Sequence, residues 1–428
     1  MITSRLVILF LSFVGLVTSA MTRGNGSLPS CAVVLDGKLP SSTPSNFQFS
    51  GNVRRYYIAA EETEWDYAPT GWDNWLGVPF EQSPRAQFAG YTKYGTKWLK
   101  ALYKGYTDAS FTECTDQPAF QGSQGPTIRA EVGDLIEILF VNQLRKNYAT
   151  MHSMGLAYTK SFEGSDYPNN TTPGIAVKLP LADHVPPAVE PQNCAVYKWV
   201  VNDSAGPPAG TPAKIHSYHS YVSLQEDANA GLIGPTIIYA RGAMNKTMSS
   251  YREFPILYNT YDESVSWLSA ENKARLDPAN TTKSSNGVVN TWGLPSGNNS
   301  VWGPQLTNFS GGRQFGSAPT FYSINGYVYS NTPTFEMCLD DNVIWGFNIY
   351  GAASHVFHMH GNGLAYNDHN QYAESGNDGV GKTLYTTAVG EGMWQVICHV
   401  QNHLTLGMLA NYRVYPKGQC PLPPLTSA

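Results

Sequence analysis

The feature that most constrains this chain is an internal duplication written in short, dense strand signals. Residues 128–142, IRAEVGDLIEILFVN, alternate apolar and polar positions around Gly133-Asp134, and residues 334–350, TFEMCLDDNVIWGFNIY, do much the same. A period of two suits half-buried strands. Asp134 lies eighteen residues before His152, and Asp340 lies eighteen before His358. His152-Ser153-Met154-Gly155 then corresponds to His358-Met359-His360-Gly361. Further on, His219-Ser220-Tyr221 precedes Gly231-Leu232, as Ile397-Cys398-His399 precedes Gly407-Met408. The repeat divides the chain into a first domain over 45–245 and a second over 250–422. The chain's 40 Gly and 28 Pro supply turns at a density that favours an all-β reading over a helical one. Two domains of short strands imply paired β-sandwiches. Residues 280–312, rich in Asn, Ser, Gly and Thr, read as a surface loop, and Leu422–Ala428 as a tail.

Residues 1–20, MITSRLVILFLSFVGLVTSA, read as a secretory signal peptide: Arg5, a twelve-residue apolar run from Leu6 to Val17, then small residues at Thr18 and Ala20. Twelve apolar residues are too few to span a bilayer, and no later run matches them, so the mature chain is expected to be secreted without a membrane anchor. Eight N-x-[ST] sequons, at Asn25, Asn169, Asn170, Asn202, Asn245, Asn280, Asn298 and Asn308, predict a glycoprotein. Hydrophobic residues make up 42% and charged residues 14%, which excludes a disordered chain. A net charge of −5 lacks the basic footprint of a nucleic-acid binder. In an extracellular protein the six cysteines default to disulfides, of unspecified connectivity.

One cysteine reads differently. In CHVQNHLTLGM, residues 398–408, Cys398, His403 and Met408 are spaced C-x4-H-x4-M. A thiolate, an imidazole and a thioether form a soft ligand set, which copper completes with a second histidine in the plane and Met as a weak axial ligand. SHVFHMHG, residues 354–361, can supply that histidine. Successive strand side chains face opposite ways. If Cys398 faces one copper, Ile397 and His399 face away; His358 and His360 share a face, with His355 opposite. One pair of strands then serves two metal sites: Cys398, His355, His403 and Met408 on one side, His358, His360 and His399 on the other. Seven of the ten histidines gather in these motifs: His152, His219, His355, His358, His360, His399 and His403.

Together these motifs resemble the ceruloplasmin–hephaestin branch of the multicopper oxidases, related to the A domains of coagulation factors V and VIII. The resemblance also covers RRYYIAAEETEWDYA at 54–68, KALYKGYTDASF at 100–111, DYPNNTT at 166–172, YHSYVSLQEDANAGLIGPTII at 218–238, YDESVSW at 261–267 and INGYVYSN at 324–331. It implies two tandem cupredoxin-like Greek-key β-sandwich domains. It implies a type 1 blue copper on His355, Cys398, His403 and Met408 in the second domain. The first lacks one, since Ser220 stands where the cysteine would be. It also implies a Cys338–Cys420 disulfide, leaving Cys31, Cys114 and Cys194 open, with Tyr239 at the usual partner position of Cys194.

The family's three-copper cluster uses eight histidines in four pairs. Here the pairs read His152/Met154, His219/Tyr221, His358/His360 and Ile397/His399, so five of eight remain. His152 and His358 resemble the type 2 ligands. One type 3 copper would see Met154, His219 and His399; the other would see Tyr221, His360 and Ile397, and Ile397 cannot ligate. The expectation is impaired reduction of dioxygen. The family's iron-oxidising positions read Ser317, Tyr322 and Asn402, without a carboxylate; Glu336 or Asp340 could substitute, though nothing singles them out. The expected chemistry is one-electron transfer at the blue copper from a small-molecule or metal-ion reductant. The alternatives are a ferroxidase-like oxidase and a non-catalytic copper carrier or structural extracellular protein. Two-domain relatives assemble the cluster between neighbouring subunits of a homotrimer; here the second site needs a domain–domain interface, either within one chain or between chains of such a trimer.

Overall fold

The computed structural model describes residues 35–165, 188–280, 315–351, 353–367 and 369–426. The leader, five sequons (Asn25, Asn169, Asn170, Asn298 and Asn308) and nearly all of the 280–312 loop lie outside the described residues. The chain is built of β-sheet, as the alternation predicts. One sheet of the first sandwich runs β4 (Lys97–Tyr106), β1 (Val53–Asp66), β6 (Leu135–Asn142), β8 (Cys194–Val200). Its other sheet runs β5 (Ile128–Glu131), β10 (Ile233–Tyr239), β9 (Ala213–His219), β7 (His152–Ser153). A ribbon of β2 (Trp72–Asp73) and β3 (Val78–Pro79) sits in the long β1–β4 connection. Inward positions such as Ile58, Ile136, Ile138, Phe140, Trp199 and Ile238 fill the core between the sheets.

The second sandwich repeats the plan. Its larger sheet runs β12 (Thr320–Ile324), β11 (Arg252–Asp262), β14 (Asn342–Tyr350), β19 (Gly381–Thr387), β16 (Leu364–Tyr366), β17 (His369–Gln371). The facing sheet runs β13 (Phe335–Cys338), β21 (Leu409–Tyr415), β20 (Gly392–Cys398), β15 (His355–Met359), β18 (Ala373–Gly376). The parallel pair β1–β6 recurs as β11–β14, and the parallel pair β5–β10 as β13–β21. The repeat runs one residue out of the register that the sequence suggests. Asp134 Oδ2 accepts from Glu131 N at 3.0 Å and from Arg54 Nε at 2.6 Å. The carboxylate making the matching bonds is that of Asp341, which accepts from Cys338 N and Arg252 Nε, both at 2.7 Å. Asp340 instead takes the left-handed turn position (φ 71°) that Gly133 (φ 98°) holds in the first half. Asp is among the few residues that tolerate it.

The sandwiches meet where β9 lies against β14 and β19. Ile215 fills the space above Gly346, whose added Cβ would stand 2.6 Å from Ile215 Cδ1. Ile215 N donates to Thr383 Oγ1 (2.8 Å), Tyr385 OH to Ala213 O (2.6 Å) and Asn348 Nδ2 to His216 O (3.3 Å). A buried ion pair, Lys100 Nζ to Glu263 Oε1 at 2.7 Å with Tyr67 OH donating to the same oxygen at 2.6 Å, ties the two halves elsewhere. Leu422–Thr426 is docked rather than free: Thr426 N donates to Ser249 O (2.9 Å) and Arg252 Nη2 to Pro423 O (2.7 Å). Cys338 and Cys420 form a disulfide, Cys194 is disulfide-bonded, and Cys114 is an exposed free thiol. Tyr239 is buried and donates to Glu253 Oε1 at 2.6 Å. Asn245 is exposed, whereas Asn202 is half-buried with its Oδ1 accepting from Ala205 N at 3.2 Å.

Candidate metal centre

His355 opens β15 and Cys398 closes β20, and the register Phe357↔Cys398 sets them side by side on the core face. The chain then turns through the short helix Gln401–Thr405, which carries His403, and returns along β21 immediately after Met408. Met408 N donates to His403 O (2.9 Å) and Cys398 N to Met408 O (3.0 Å), so the loop closes on itself. Gly407 (φ 110°) makes the return possible; a Cβ there would stand 3.0 Å from Val328 Cβ.

The donor atoms converge. Cys398 Sγ lies 3.5 Å from His403 Nδ1 and 3.7 Å from His355 Nδ1, and the two nitrogens are 3.2 Å apart. Met408 Sδ lies 3.1 Å from His355 Nδ1. Three donors in a trigonal plane about 2 Å from one ion stand roughly 3.5 Å apart. Among the described residues this is the one His, Cys or acidic trio whose ligating atoms all lie within 4.8 Å of one another. Burial, reinforced by His403, pulls the His355 imidazole down to about 3, and burial lowers His403 as well. Both lone pairs are therefore free at neutral pH. Burial pushes the Cys398 thiol up, so a cation must displace its proton. Tyr258 OH donates to Ile397 O at 2.9 Å and pins the end of β20. Two imidazoles, a thiolate and a thioether with no carboxylate suit copper better than hard cations.

The other five motif histidines fall into two separate sets. His152 and His219 pair across β7 and β9 with ring centres 5.3 Å apart, and Tyr221 joins them. His358 lies 5.3 Å from His360 and 5.3 Å from His399, on the outer face of β15 and β20. Burial holds His219 down to about 4; burial with the neighbouring His358 and His399 lowers His360. Met154, half-buried, follows β7, and Ile397 is buried in the core that also holds Tyr329 and Leu409. Within the chain the sets do not meet. His219 packs on Tyr350 of β14 (5.8 Å), whereas His358, His360 and His399 belong to the opposite sheet of that sandwich.

Of the positions compared with the family's iron-oxidising residues, Tyr322 lies at the rim of the centre. Tyr322 stands against His403 with ring centres 5.0 Å apart. Burial and the nearby Asp262 carboxylate raise its phenol. Ser317 Oγ lies 2.7 Å from Tyr94 OH, itself 3.4 Å from Asp277 Oδ2. Asn402 is the second residue of the helix that carries His403. Glu336 and Asp340 are elsewhere, bonded to Tyr415 and Lys417. Asp262 and Asp277 carry no motif signal, since packing alone sets Asp262 near Tyr322 and Asp277 near Tyr94.

No protein-family model matches the chain. It is 29% identical to hephaestin of Mus musculus over 379 residues, 85% of this chain and 30% of that one. It is 30% identical to ceruloplasmin of Rattus norvegicus over 372 residues (84% and 31%) and 28% identical to the ferroxidase HEPHL1 of Homo sapiens over 391 residues (86% and 30%). The chain thus spans about 30% of the length of these relatives. In fold it matches a crystal structure of a multicopper oxidase with a TM-score of 0.50 at 16% identity, covering 85% of this chain and 90% of the other. A blue copper oxidase from Nitrosomonas europaea matches with a TM-score of 0.50 at 14% identity, covering 85% and 86%. In sequence the chain is similar to hephaestin and ceruloplasmin, and in fold to the multicopper oxidases.

Proposed function

We propose that the chain is a secreted, glycosylated copper protein that performs one-electron oxidations at a type 1 centre on His355, Cys398, His403 and Met408. The observation that carries this is the convergence of two Nδ1 atoms and Sγ at 3.2–3.7 Å in a site without a counter-charge. Copper bound there supplies the one-electron couple. The protein holds the donors in a fixed loop, keeps water out through burial, and offers the His403 edge with Tyr322 to a reductant. Among the described residues no helix is long and apolar enough to cross a membrane. Copper loading of the metal-free protein tests it. An intense thiolate-to-copper band that saturates at one blue copper per chain is the expected result; a colourless protein, or colour that survives Cys398→Ala, overturns it.

A cluster of the family's kind, joining both histidine sets, is incomplete within one chain, because the sets lie on opposite sides of the second sandwich. Exposed Tyr221 and Leu224 flank the first set, and exposed Tyr372 neighbours His358. A head-to-tail homotrimer is the arrangement that joins them, with each first sandwich meeting the next chain's β15–β20 face. A monomeric mass in light scattering at micromolar concentration rules it out. Iron oxidation is the second reading, favoured by Asp262 and Asp277 beside the rim tyrosines; loss of Fe(II) turnover in Asp277→Asn with the blue band intact is its test.

A further inference from the structure

The first sandwich carries a ligand set that pairing histidines by motif does not reveal. His152, His219 and Tyr221 form a closed triangle of rings, with centres 5.3 Å (His152–His219), 5.2 Å (His152–Tyr221) and 5.7 Å (His219–Tyr221) apart. Both imidazoles are held by the same device. His152 Nδ1 lies 2.7 Å from Glu163 O, and His219 Nδ1 lies 2.9 Å from Ser220 O. An Nδ1–H donating to a carbonyl fixes the tautomer and leaves the Nε2 lone pair free, the second-shell arrangement typical of metal-bound histidine. Two imidazoles bound to one ion at about 2 Å through Nε2 place their ring centres roughly 5 Å apart. Tyr221 is fixed by its backbone, whose N–H donates to Thr150 Oγ1 at 2.8 Å, while its hydroxyl makes no hydrogen bond among the described residues. His219 is 2% exposed and Tyr221 36%, so the triangle has a buried floor and an open mouth.

We infer that His152, His219 and Tyr221 form a mononuclear Cu(II) site within one chain, in which Tyr221 replaces a histidine as ligand instead of merely deleting one. On binding, the phenol O–H bond breaks, its proton passes to water, and Oη joins two Nε2 atoms on the ion, with no change of oxidation state. Two imidazoles and a phenolate lack a thiolate, so this copper is not blue and favours the oxidised ion that hard oxygen supports. It lies outside the second sandwich, and no residue of β15 or β20 is required.

The experiment is titration of the full metal-free chain with Cu(II), followed by absorption and electron paramagnetic resonance. Beyond the blue centre, the expected result is a second paramagnetic copper with a phenolate-to-copper band. Tyr221→Phe removes that band, and His219→Asn removes the second copper at least tenfold in affinity. In both variants the blue band at Cys398 persists and reports that the chain is folded. His358→Ala leaves the second copper in place. The inference is overturned if the stoichiometry stays at one, if Tyr221→Phe leaves the spectrum unchanged, or if His358→Ala also abolishes the second copper. The last outcome assigns the ion to a shared site between chains, and leaves the type 1 reading intact.

Discussion

In the second sandwich the end of β20 presents Cys398 to His355 across the sheet; in the first, the end of β9 presents Ser220. The pairing His152↔His219 sets Met151 opposite Ser220, as Phe357 is opposite Cys398, so the residue in the place of His355 is Ala149, fully buried. The space that holds donors in one half is closed in the other around the buried Asp227 carboxylate. Its Oδ2 accepts from Ser220 Oγ (2.7 Å), Val222 N (2.9 Å) and Ser223 N (3.0 Å), and its Oδ1 from Trp267 Nε1 (3.1 Å). The same sandwich can thus satisfy its polar groups internally or leave soft donors facing one another for an ion. A buried polar group without a partner costs free energy, so a metal site stays open only where an ion repays that cost.

The sharpest way to break the comparison is to give the second half the residue of the first. Cys398→Ser removes the thiolate, the ligand that makes the set soft. We expect the blue band to vanish and copper affinity there to fall by more than about 100-fold, beyond the 10–100-fold that loss of a mere supporting partner costs. Metal-free stability changes little, because Ser is close in size. Copper per chain and a denaturant midpoint on the apo-protein separate the two effects.

The reverse experiment removes the closure. Asp227→Ala leaves the Ser220 hydroxyl, two backbone N–H groups and the Trp267 indole without their acceptor. Loss of a buried carboxylate that anchors several donors is expected to cost about 3–5 kcal/mol. The measurement is denaturant unfolding of the apo-protein. A cost below about 1 kcal/mol would mean that the network is not what closes the first half.

How much of this was legible follows from what is local. The C-x4-H-x4-M spacing lies in one loop, and strand alternation alone separates His355 from His358 and His360. The duplication was legible through its turns, yet its register slipped by one because Asp340 occupies a glycine's turn position while Asp341 does the work of Asp134. What motifs could not carry is long-range packing. Ile215, Asn348, Thr383 and Tyr385 are scattered in sequence, and together they set β9 on β14 and β19. That contact puts the two histidine sets on opposite sides of a sandwich. Asp227 likewise looks like one acid in a short helix until the fold brings Trp267 to it.

A smaller effect separates the halves by pH. His216, on β9 beside the interface, is held below the usual histidine range by burial, with Nε2 2.8 Å from Ala205 O. Its folded pKa lies below the unfolded value near 6.5, so the unfolded chain binds the extra proton between the two. Its contribution to stability is present above about pH 6.5 and is lost as the pH falls through the folded value. Apo-protein unfolding between pH 7 and 5 should show a shallower loss in His216→Gln than in the parent. An unchanged slope would place the acid sensitivity elsewhere.

The smallest expected effect is at Met408. Leu conserves volume in the core, so Met408→Leu should cost less than about 1.5 kcal/mol of stability. The trigonal donors remain, and so does the blue band. What changes is the weak axial donor, which favours the oxidised ion more than the reduced one. Removing a contact worth about 1–2 kcal/mol to the oxidised state should raise the reduction potential by roughly 40–90 mV, given ~59 mV per tenfold for one electron. A redox titration of the two proteins measures this directly. An unchanged potential would mean that Met408 serves the second half as a packing residue, which would bring its copper position closer to the filled one in the first.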